Sequence, residues 1–585
     1  MIEKKEITCQ PITKLFDFIT EKQLKNSDLW KRFTEVFEQK LDSADLGWRG
    51  EYWGKMMRGA CQVYECSHDE SAYHILSQTV EDILAVQEEN GRISSYQQDN
   101  EFVGWDMWCR KYVLVGLEYF YQVCHEPILK NRILSAMKSS VDYILEYIGK
   151  NKKHIFETSS VYGGVNSCSI LEPIVELYKL TGEYRYLEFA EYILSTGGCQ
   201  DGNLLNCVNN DNCYPYQYPE TKIYETMSFF EGVLAYGEAT NQKEYVELVA
   251  RFVDDVICSD LTVLGSCGCR CEHFDNSTVT QTLETGYLMQ ETCVTVTWLR
   301  LLNRLYKNTS NIMYQDLIEK AYYNAFLGSF NELEQDIYCV EIEEYIKDLP
   351  FYCYSPLMDD IRTRQVSGCK QVKDIFYSCC SAIGGAGISV LPTNRIFVKG
   401  EAIVINQYLS GREDFLYGDN LIGISFETEY PANGKVKLTI NLQREEMFTL
   451  KLRIPQWSNN ALITVAGETF CAQKGYYQIE RMWRDGDIIL LDFPLTLTSV
   501  MLDEKYAFSY GCIILAADEA KSAITNIPAD FHSQELLPLE GELCRFALEC
   551  GKNERLILTN YSSCGKNSSS KISVWLKGEG ICLKA

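Results

Sequence analysis

The strongest constraint on this chain is a repeat. Thr181-Gly182-Glu183-Tyr184-Arg185-Tyr186, Thr240-Asn241-Gln242-Lys243-Glu244-Tyr245 and Thr309-Ser310-Asn311-Ile312-Met313-Tyr314 are variants of one loop. His68-Asp69-Glu70-Ser71-Ala72-Tyr73 is a fourth copy, and Cys124-His125-Glu126-Pro127-Ile128-Leu129 a degraded fifth. Their marker positions 73, 129, 186, 245 and 314 are spaced by 56, 57, 59 and 69 residues. A unit of about 60 residues holds two helices of about 15–20 residues and two loops, at ~1.5 Å rise per residue. Apolar residues at helical spacing over Ala72 to Leu84, Ile128 to Ile148, Ile170 to Leu180 and Val294 to Leu305 predict such helices.

Helical pairs of this kind either stack in an open line or close into a ring. A ring of six pairs needs about 360 residues, and the helical region runs from about residue 10 to 395, with no seventh unit after it. The reading is an (α/α)6 barrel over residues 1–395, with loops at one end forming a deep pocket. From residue 396 the period switches to two, as in Ala402-Ile403-Val404-Ile405 and Phe448-Thr449-Leu450-Lys451-Leu452. Turns such as Ala432-Asn433-Gly434 separate these runs, which predicts a β-sandwich over 396–500. Residues 501–585 continue in strands, as a second sandwich or as part of the first. The run Gly384-Gly385-Ala386-Gly387 reads as a tight start to a helix.

Charge and composition remove several functions. Fifty-five basic against 81 acidic residues leave a formal charge of −26, which repels phosphate backbones and argues against a nucleic-acid partner. No apolar window is long enough to span a membrane, and the N-terminus lacks a secretory pattern. The expected location is cytoplasmic, where the 25 cysteines stay reduced and mostly buried. None of the six histidines forms a His-x-x-x-His pair, and no nucleotide-binding glycine motif follows a strand.

Attention therefore falls on thiols. Glu291-Thr292-Cys293 heads a strongly apolar helix, and Cys379-Cys380 is an adjacent pair. Together Glu291, Cys293, Cys379 and Cys380 would form a thiolate-rich four-ligand site that suits Zn²⁺. The plainer reading is buried cysteines beside a surface glutamate. Cys267, Cys269 and Cys271, directly before Glu272, are a weaker set, because alternate residues of a strand converge poorly.

The chain resembles glycoside hydrolase family 127, the β-L-arabinofuranosidase group. The resemblance covers nearly the whole length. It rests on Gly50-Glu51-Tyr52-Trp53-Gly54-Lys55, Trp105-Asp106-Met107-Trp108-Cys109-Arg110-Lys111-Tyr112 and Ser169-Ile170-Leu171-Glu172-Pro173. It continues through Glu291-Thr292-Cys293, Tyr323-Asn324, Tyr354-Ser355-Pro356-Leu357, Cys379-Cys380 and Arg453-Ile454-Pro455-Gln456-Trp457. It implies an (α/α)6 barrel with β-sandwich material, and a retaining glycosidase whose cysteine nucleophile is held on zinc. Carried over, Glu291, Cys293, Cys379 and Cys380 are the zinc ligands, Cys379 is the nucleophile, and Glu272 is the acid/base. The spacing from Glu272 to Glu291 is longer than the family leads one to expect, so Glu284 is a second candidate.

The resemblance also implies pocket histidines that this chain lacks; no histidine occurs between residues 155 and 272. Lys111, Cys168 and a residue near Thr226 or Met227 stand at the matching places, and with Trp105 are candidate substrate contacts. Arg110 and Lys111 facing a pocket would favour a carboxylated sugar. Trp48, Trp53, Trp105 and Trp108 form either a stacking wall or core. The expected substrate is a small oligosaccharide or glycoside. Competing readings are a lyase or epimerase on the same barrel, and a non-catalytic carbohydrate-binding protein with a structural zinc. The sugar, the linkage and the oligomeric state, a homodimer included, are left open.

Overall fold

The computed structural model describes residues 2–9, 12–43, 45–159, 161–270, 272–283, 289–339, 343–347, 349–362, 377–522, 526–527, 533–550, 554–566 and 570–578. Six inner helices form a closed ring: α1 (Glu51–Ser67), α2 (Asp106–Val123), α3 (Leu171–Thr181), α4 (Ile223–Thr240), α5 (Thr292–Thr309) and α6 (Cys379–Ile388). Each packs on the next, and α6 packs back on α1. Outer helices Ser27–Gln39, Glu70–Ala85, Pro127–Tyr147, Tyr184–Ser195, Lys243–Ser259 and Met313–Ala321 alternate with them. This is the (α/α)6 barrel. The inner helices are buried nearly all round, as in Ile223 to Gly237, whereas outer helices bury one stripe.

The recurring loop has a physical cause. The hydroxyls of Thr181, Thr240 and Thr309 donate to the carbonyls of Leu177, Tyr236 and Leu305, each four residues back. The next residues, Gly182, Asn241 and Ser310, take left-handed φ of 69°, 55° and 58°, and His68 does the same at 51°. A left-handed residue just past the last turn ends a helix and reverses the chain. Asp69 then caps the following outer helix by accepting from the Ser71 and Ala72 amides. Tyr73, Tyr186 and Tyr314 are buried and anchor each outer helix.

These tight loops sit at the C-terminal ends of inner helices. Alternation therefore points all six inner N-termini to the opposite mouth, where the long connections lie. The glycine run falls within α6 rather than at its start. A Cβ on Gly384 would come 2.0 Å from the Phe351 ring, and one on Gly59 of α1 would come 2.5 Å from the Ala386 amide nitrogen. Small residues let the last inner helix close against the first.

The strands form three larger sheets. A seven-stranded antiparallel sheet runs in the order Ile2–Ile7, Gly411–Tyr417, Asn420–Thr428, Lys435–Leu442, Ile488–Asp492, Ala461–Val465, Glu468–Ala472. Its first strand comes from the N-terminus, in a stretch that the sequence reading assigned to the barrel. The charged run Glu3-Lys4-Lys5-Glu6 shows no alternation that would have marked it. A four-stranded sheet packs against it, with Phe448 on Tyr417 at 5.7 Å between rings. Strands from Leu497 to Lys577 build a third, eight-stranded sheet.

Two motifs of the resemblance fasten these sheets to the barrel. Arg453 ion-pairs with Glu319 and with Asp316 at 2.6 Å, and the Trp457 indole donates to Glu319 at 3.1 Å. Asn324 donates to the Cys512 carbonyl at 2.8 Å and accepts from the Ile514 amide at 2.7 Å. Among the described residues, no helix is long and apolar enough to cross a membrane.

Candidate active site

Chemistry-bearing side chains gather at the N-terminal mouth of the inner helices. Glu291 is the residue just before α5, and Cys293 lies in its first turn. Cys379 and Cys380 open α6, whose Ser378 cap accepts from the Ser381 amide. Glu51 and Lys55 lie at the head of α1. Helix N-termini carry partial positive charge, which favours thiolate and carboxylate there.

One ligating atom from each of Glu291, Cys293, Cys379 and Cys380 lies within 4.8 Å of all the others. Cys380 Sγ is 3.5 Å from Cys293 Sγ, 3.9 Å from Cys379 Sγ and 3.5 Å from Glu291 Oε1. A tetrahedral ion with 2.3 Å bonds to sulfur and about 2.0 Å to oxygen requires edges of about 3.8 Å and about 3.5 Å. The three edges that meet at Cys380 have those lengths. The other carboxylate oxygen, Glu291 Oε2, has no hydrogen-bond partner among the described residues. No second group of three or more such residues among them could share an ion. Cys267 and Cys269 are buried in different apolar clusters, with the Cys269 thiol 3.3 Å from Asp275, while Cys271 lies outside the described residues.

Hydrogen bonds from the Cys293 and Cys380 thiols hold Cys379 well below the usual thiol range; Lys55 and Lys222 help, and burial opposes. Burial pushes Cys293 and Cys380 up, which keeps both as thiols. Burial, with the Cys379 charge, pushes Glu291 up to about 8 and Glu51 up to about 7, against the pull of nearby lysines. A divalent ion would remove the need for these protons, because its charge compensates all four groups. Lys55 reaches Cys293 at 3.7 Å and Glu51 at 2.9 Å, and the Trp108 indole donates to the other Glu51 oxygen.

Glu272 comes from the long connection between the outer helix Lys243–Ser259 and α5. Its φ is +70°, a strained conformation for a residue with a side chain, and such strain clusters at functional sites. Its carbonyl accepts from the Ile223 amide at the head of α4. Its carboxylate is held between Lys222 and the Tyr354 hydroxyl. Tyr354 is the ladder partner of Glu291 in a two-stranded pairing, so one tyrosine spans from the thiol cluster to Glu272. Glu284 lies outside the described residues.

Trp105 is half-buried and contacts Trp48, Trp108 and Tyr162, each at 5.7 Å between rings. Tyr162 in turn meets His273 and lies 5.1 Å from the Lys222 ammonium, which sets Trp105 on the same wall as Glu272. Lys111 is fully buried, 4.4 Å from the Trp108 ring; burial first, then Arg58 and Arg300, push it down to about 7 against Glu172 and Glu231. Cys168 is fully buried beside Thr196 and Cys199, and burial pushes its thiol up. Both therefore have partners inside the protein. Arg110 is committed to Glu101 at 2.6 Å and Asp106 at 3.0 Å. Trp53 is core, bonded to Thr79.

The sequence reading passed over Lys222, Glu51, Lys55 and Tyr354 as site residues. Glu51 and Lys55 were legible as an i, i+4 pair. Lys222 and Tyr354 come from connections whose course only the fold sets.

Comparison with known families settles the relationship. The profile of the β-L-arabinofuranosidase GH127 catalytic domain matches residues 15–343, and that of the GH127 middle domain matches residues 402–495. The chain belongs to glycoside hydrolase family 127. A non-reducing end β-L-arabinofuranosidase of Bifidobacterium longum subsp. longum is 21% identical over 342 residues. That match spans 53% of this chain and 50% of the relative. A GH127 β-L-arabinofuranosidase of Geobacillus stearothermophilus T6 has the same fold, with a TM-score of 0.75 at 17% identity over 98% of this chain and 99% of that one. A second GH127 β-arabinofuranosidase structure gives 0.77 at 17% identity, over 98% and 96%. The GH127 fold is thus kept along the chain.

Proposed function

We propose that this GH127 protein is a retaining glycoside hydrolase in which Cys379 is the nucleophile and Glu272 the acid/base. Glu291, Cys293, Cys379 and Cys380 would hold one Zn²⁺. The observation that carries this reading is the four-atom cluster, with its three edges at Cys380 of tetrahedral length, beside a strained, doubly held glutamate. Zinc, when bound, supplies the charge that keeps the Cys379 sulfur deprotonated at neutral pH.

In the first step the Cys379 sulfur attacks the anomeric carbon as the bond to the leaving oxygen breaks. Glu272, protonated, gives its proton to that oxygen. In the second step Glu272, now a carboxylate, takes a proton from water, and the water oxygen displaces the Cys379 sulfur. Two displacements return the original anomeric configuration. Lys222 and Tyr354 fix both oxygens of Glu272 and so orient the proton. Four anionic ligands exceed the charge of one divalent ion by two, and the buried Lys55 and Lys222 ammoniums offset that excess.

The substrate is a glycoside or short oligosaccharide, with a sugar pocket altered from that of the arabinofuranosidases. His273 is the histidine on this wall, bonded to Thr221 at 2.9 Å, and aromatic Trp105 and Tyr162 flank it. Purified protein is expected to carry about one Zn²⁺ per chain, with the metal lost in Cys380→Ser. Cys379→Ser should abolish turnover of every glycoside, and a slow activated substrate should leave one sugar mass on Cys379 by peptide mapping. Undiminished zinc in Cys380→Ser, or turnover by Cys379→Ser, refutes the assignment.

A further inference from the structure

Lys55 takes no part in the two displacements, yet it is a full charge buried to 1% exposure beside the thiol cluster. Burying an ammonium is costly unless other groups replace its water. Three inner helices replace it. Within α1, Glu51 accepts at 2.9 Å from one turn back. From α2, the Trp108 indole donates to the other Glu51 oxygen and so fixes the carboxylate. From α4, the centroid of the Tyr224 ring lies 4.4 Å from the ammonium, and that of Tyr112 on α2 lies at 5.4 Å. The Tyr112 and Tyr224 hydroxyls are bonded to each other, which fixes both rings.

The remaining neighbour is a sulfur. Lys55 Nζ lies 3.7 Å from Cys293 Sγ, at the head of α5. Among the described residues, no second lysine or arginine bonds a cluster sulfur. Lys222, the other buried cation here, donates to Glu272 instead. Partners of this kind orient the groups that bind a metal, and losing one typically costs about 10–100-fold in metal affinity. An N–H···S bond also draws electron density from the sulfur that accepts it, which makes Cys293 the weaker nucleophile. Cys379 is partly exposed, whereas Cys293 is buried.

We propose that Lys55 is a positioning residue for the metal: its N–H···S bond, and not its charge alone, holds the Cys293 sulfur as a ligand and leaves Cys379 as the sulfur that attacks. This rests on the reading of the cluster as a Zn²⁺ site. It separates the two buried lysines, which are alike as counter-charges and differ in that only Lys55 donates to a sulfur.

The test is the zinc affinity of the full-length protein, by competition with the chromogenic chelator pyridylazoresorcinol. Lys55→Met should bind Zn²⁺ about 10–100-fold more weakly than the parent. Lys222→Met removes an equal buried charge but no bond to sulfur, and its loss should be about tenfold smaller. Lys55→Met leaves Glu51 without its partner, so the double variant Glu51→Gln/Lys55→Met removes both. Its metal-free form should melt as the metal-free parent does, because exchanging a whole buried ion pair for neutral groups changes stability little. It should lose as much zinc affinity as Lys55→Met, so the loss cannot be put down to misfolding. With Co²⁺ in place of Zn²⁺, Lys55→Met should move the thiolate-to-metal charge-transfer band to longer wavelength, since a sulfur relieved of its donor gives up electrons more readily. Equal losses in Lys55→Met and Lys222→Met, or an unchanged affinity in Lys55→Met, overturn this inference alone. A parent that binds no zinc refutes the metal site itself, and the inference with it.

Discussion

Replacing Glu272 by glutamine separates the acid role from every other role of this residue. Glutamine keeps the shape and one acceptor for Lys222 or Tyr354 but cannot give up a proton. A general acid is worth ~10²–10⁴-fold, which is about 3–5 kcal/mol of barrier at ~1.4 kcal/mol per decade. That loss should fall on substrates with alkyl or sugar leaving groups. A dinitrophenolate leaves without a proton, so its glycosylation step should change by less than about tenfold. The second step still lacks its base, so turnover on that substrate should show a burst followed by a slow phase, and azide should speed the slow phase. The structure also sets the cost to stability. The variant removes one counter-charge from Lys222, whose side chain is 8% exposed. Lys222 keeps Glu225 and Glu291 as opposing charges. The loss should therefore stay below the ~3–5 kcal/mol of a wholly stripped buried ion. The assay is stopped-flow and steady-state kcat/KM across a leaving-group series, with a melting curve for each protein. An equal loss on every leaving group, or no loss on any, refutes the assignment of Glu272.

Simple aryl β-L-arabinofuranosides should be cleaved weakly or not at all. A site built for one sugar's hydroxyls discriminates by up to ~10⁴-fold once its partners change, and efficient turnover would show the missing histidines to be dispensable. Glu319→Gln should cost about 1–3 kcal/mol in chemical denaturation, below the ~3–5 kcal/mol of a wholly stripped buried ion, because the buried Arg453 guanidinium loses one counter-charge where sandwich meets barrel but keeps Asp316 at 2.6 Å; a change under about 0.5 kcal/mol contradicts this. Lys111→Met should flatten the pH dependence of stability between about pH 7 and 10. In that window the unfolded chain binds the Lys111 proton and the folded one does not, so the parent gains stability as pH rises, by up to ~1.4 kcal/mol per pH unit, and the variant should lack that gain.

Much of the fold was legible in the sequence, because a repeat writes its period into the chain. Threonine followed by a residue tolerant of left-handed backbone marks each helix end locally, and the switch to period two marks where strands begin. The N-terminal strand left no such mark, since its place depends on backbone pairing with Gly411–Tyr417 and not on its own side chains. For the same reason the glycines of α6 read as a tight helix start, when their use is close packing against Phe351 and α1.

The site divides along the same line. Glu291-Thr292-Cys293 and Cys379-Cys380 stood out as residue types, yet their spacing alone favoured a set of buried cysteines over a metal site. Closure of the ring decided that they meet, because α5 and α6 are neighbours whose N-termini share one mouth. Tyr354, Lys222 and Glu272 meet on long connections, and the sequence carries no period there to say where a loop returns. Lys111 and Arg110, adjacent in a promising motif, turned to the barrel interior and to Glu101, because helical rotation about α2 sets direction and composition does not. The sequence by itself determined which elements form and which chemistries were available. The tertiary structure decided which side chains share a volume small enough for an ion or a proton to pass between them, since that depends on distances that only packing fixes.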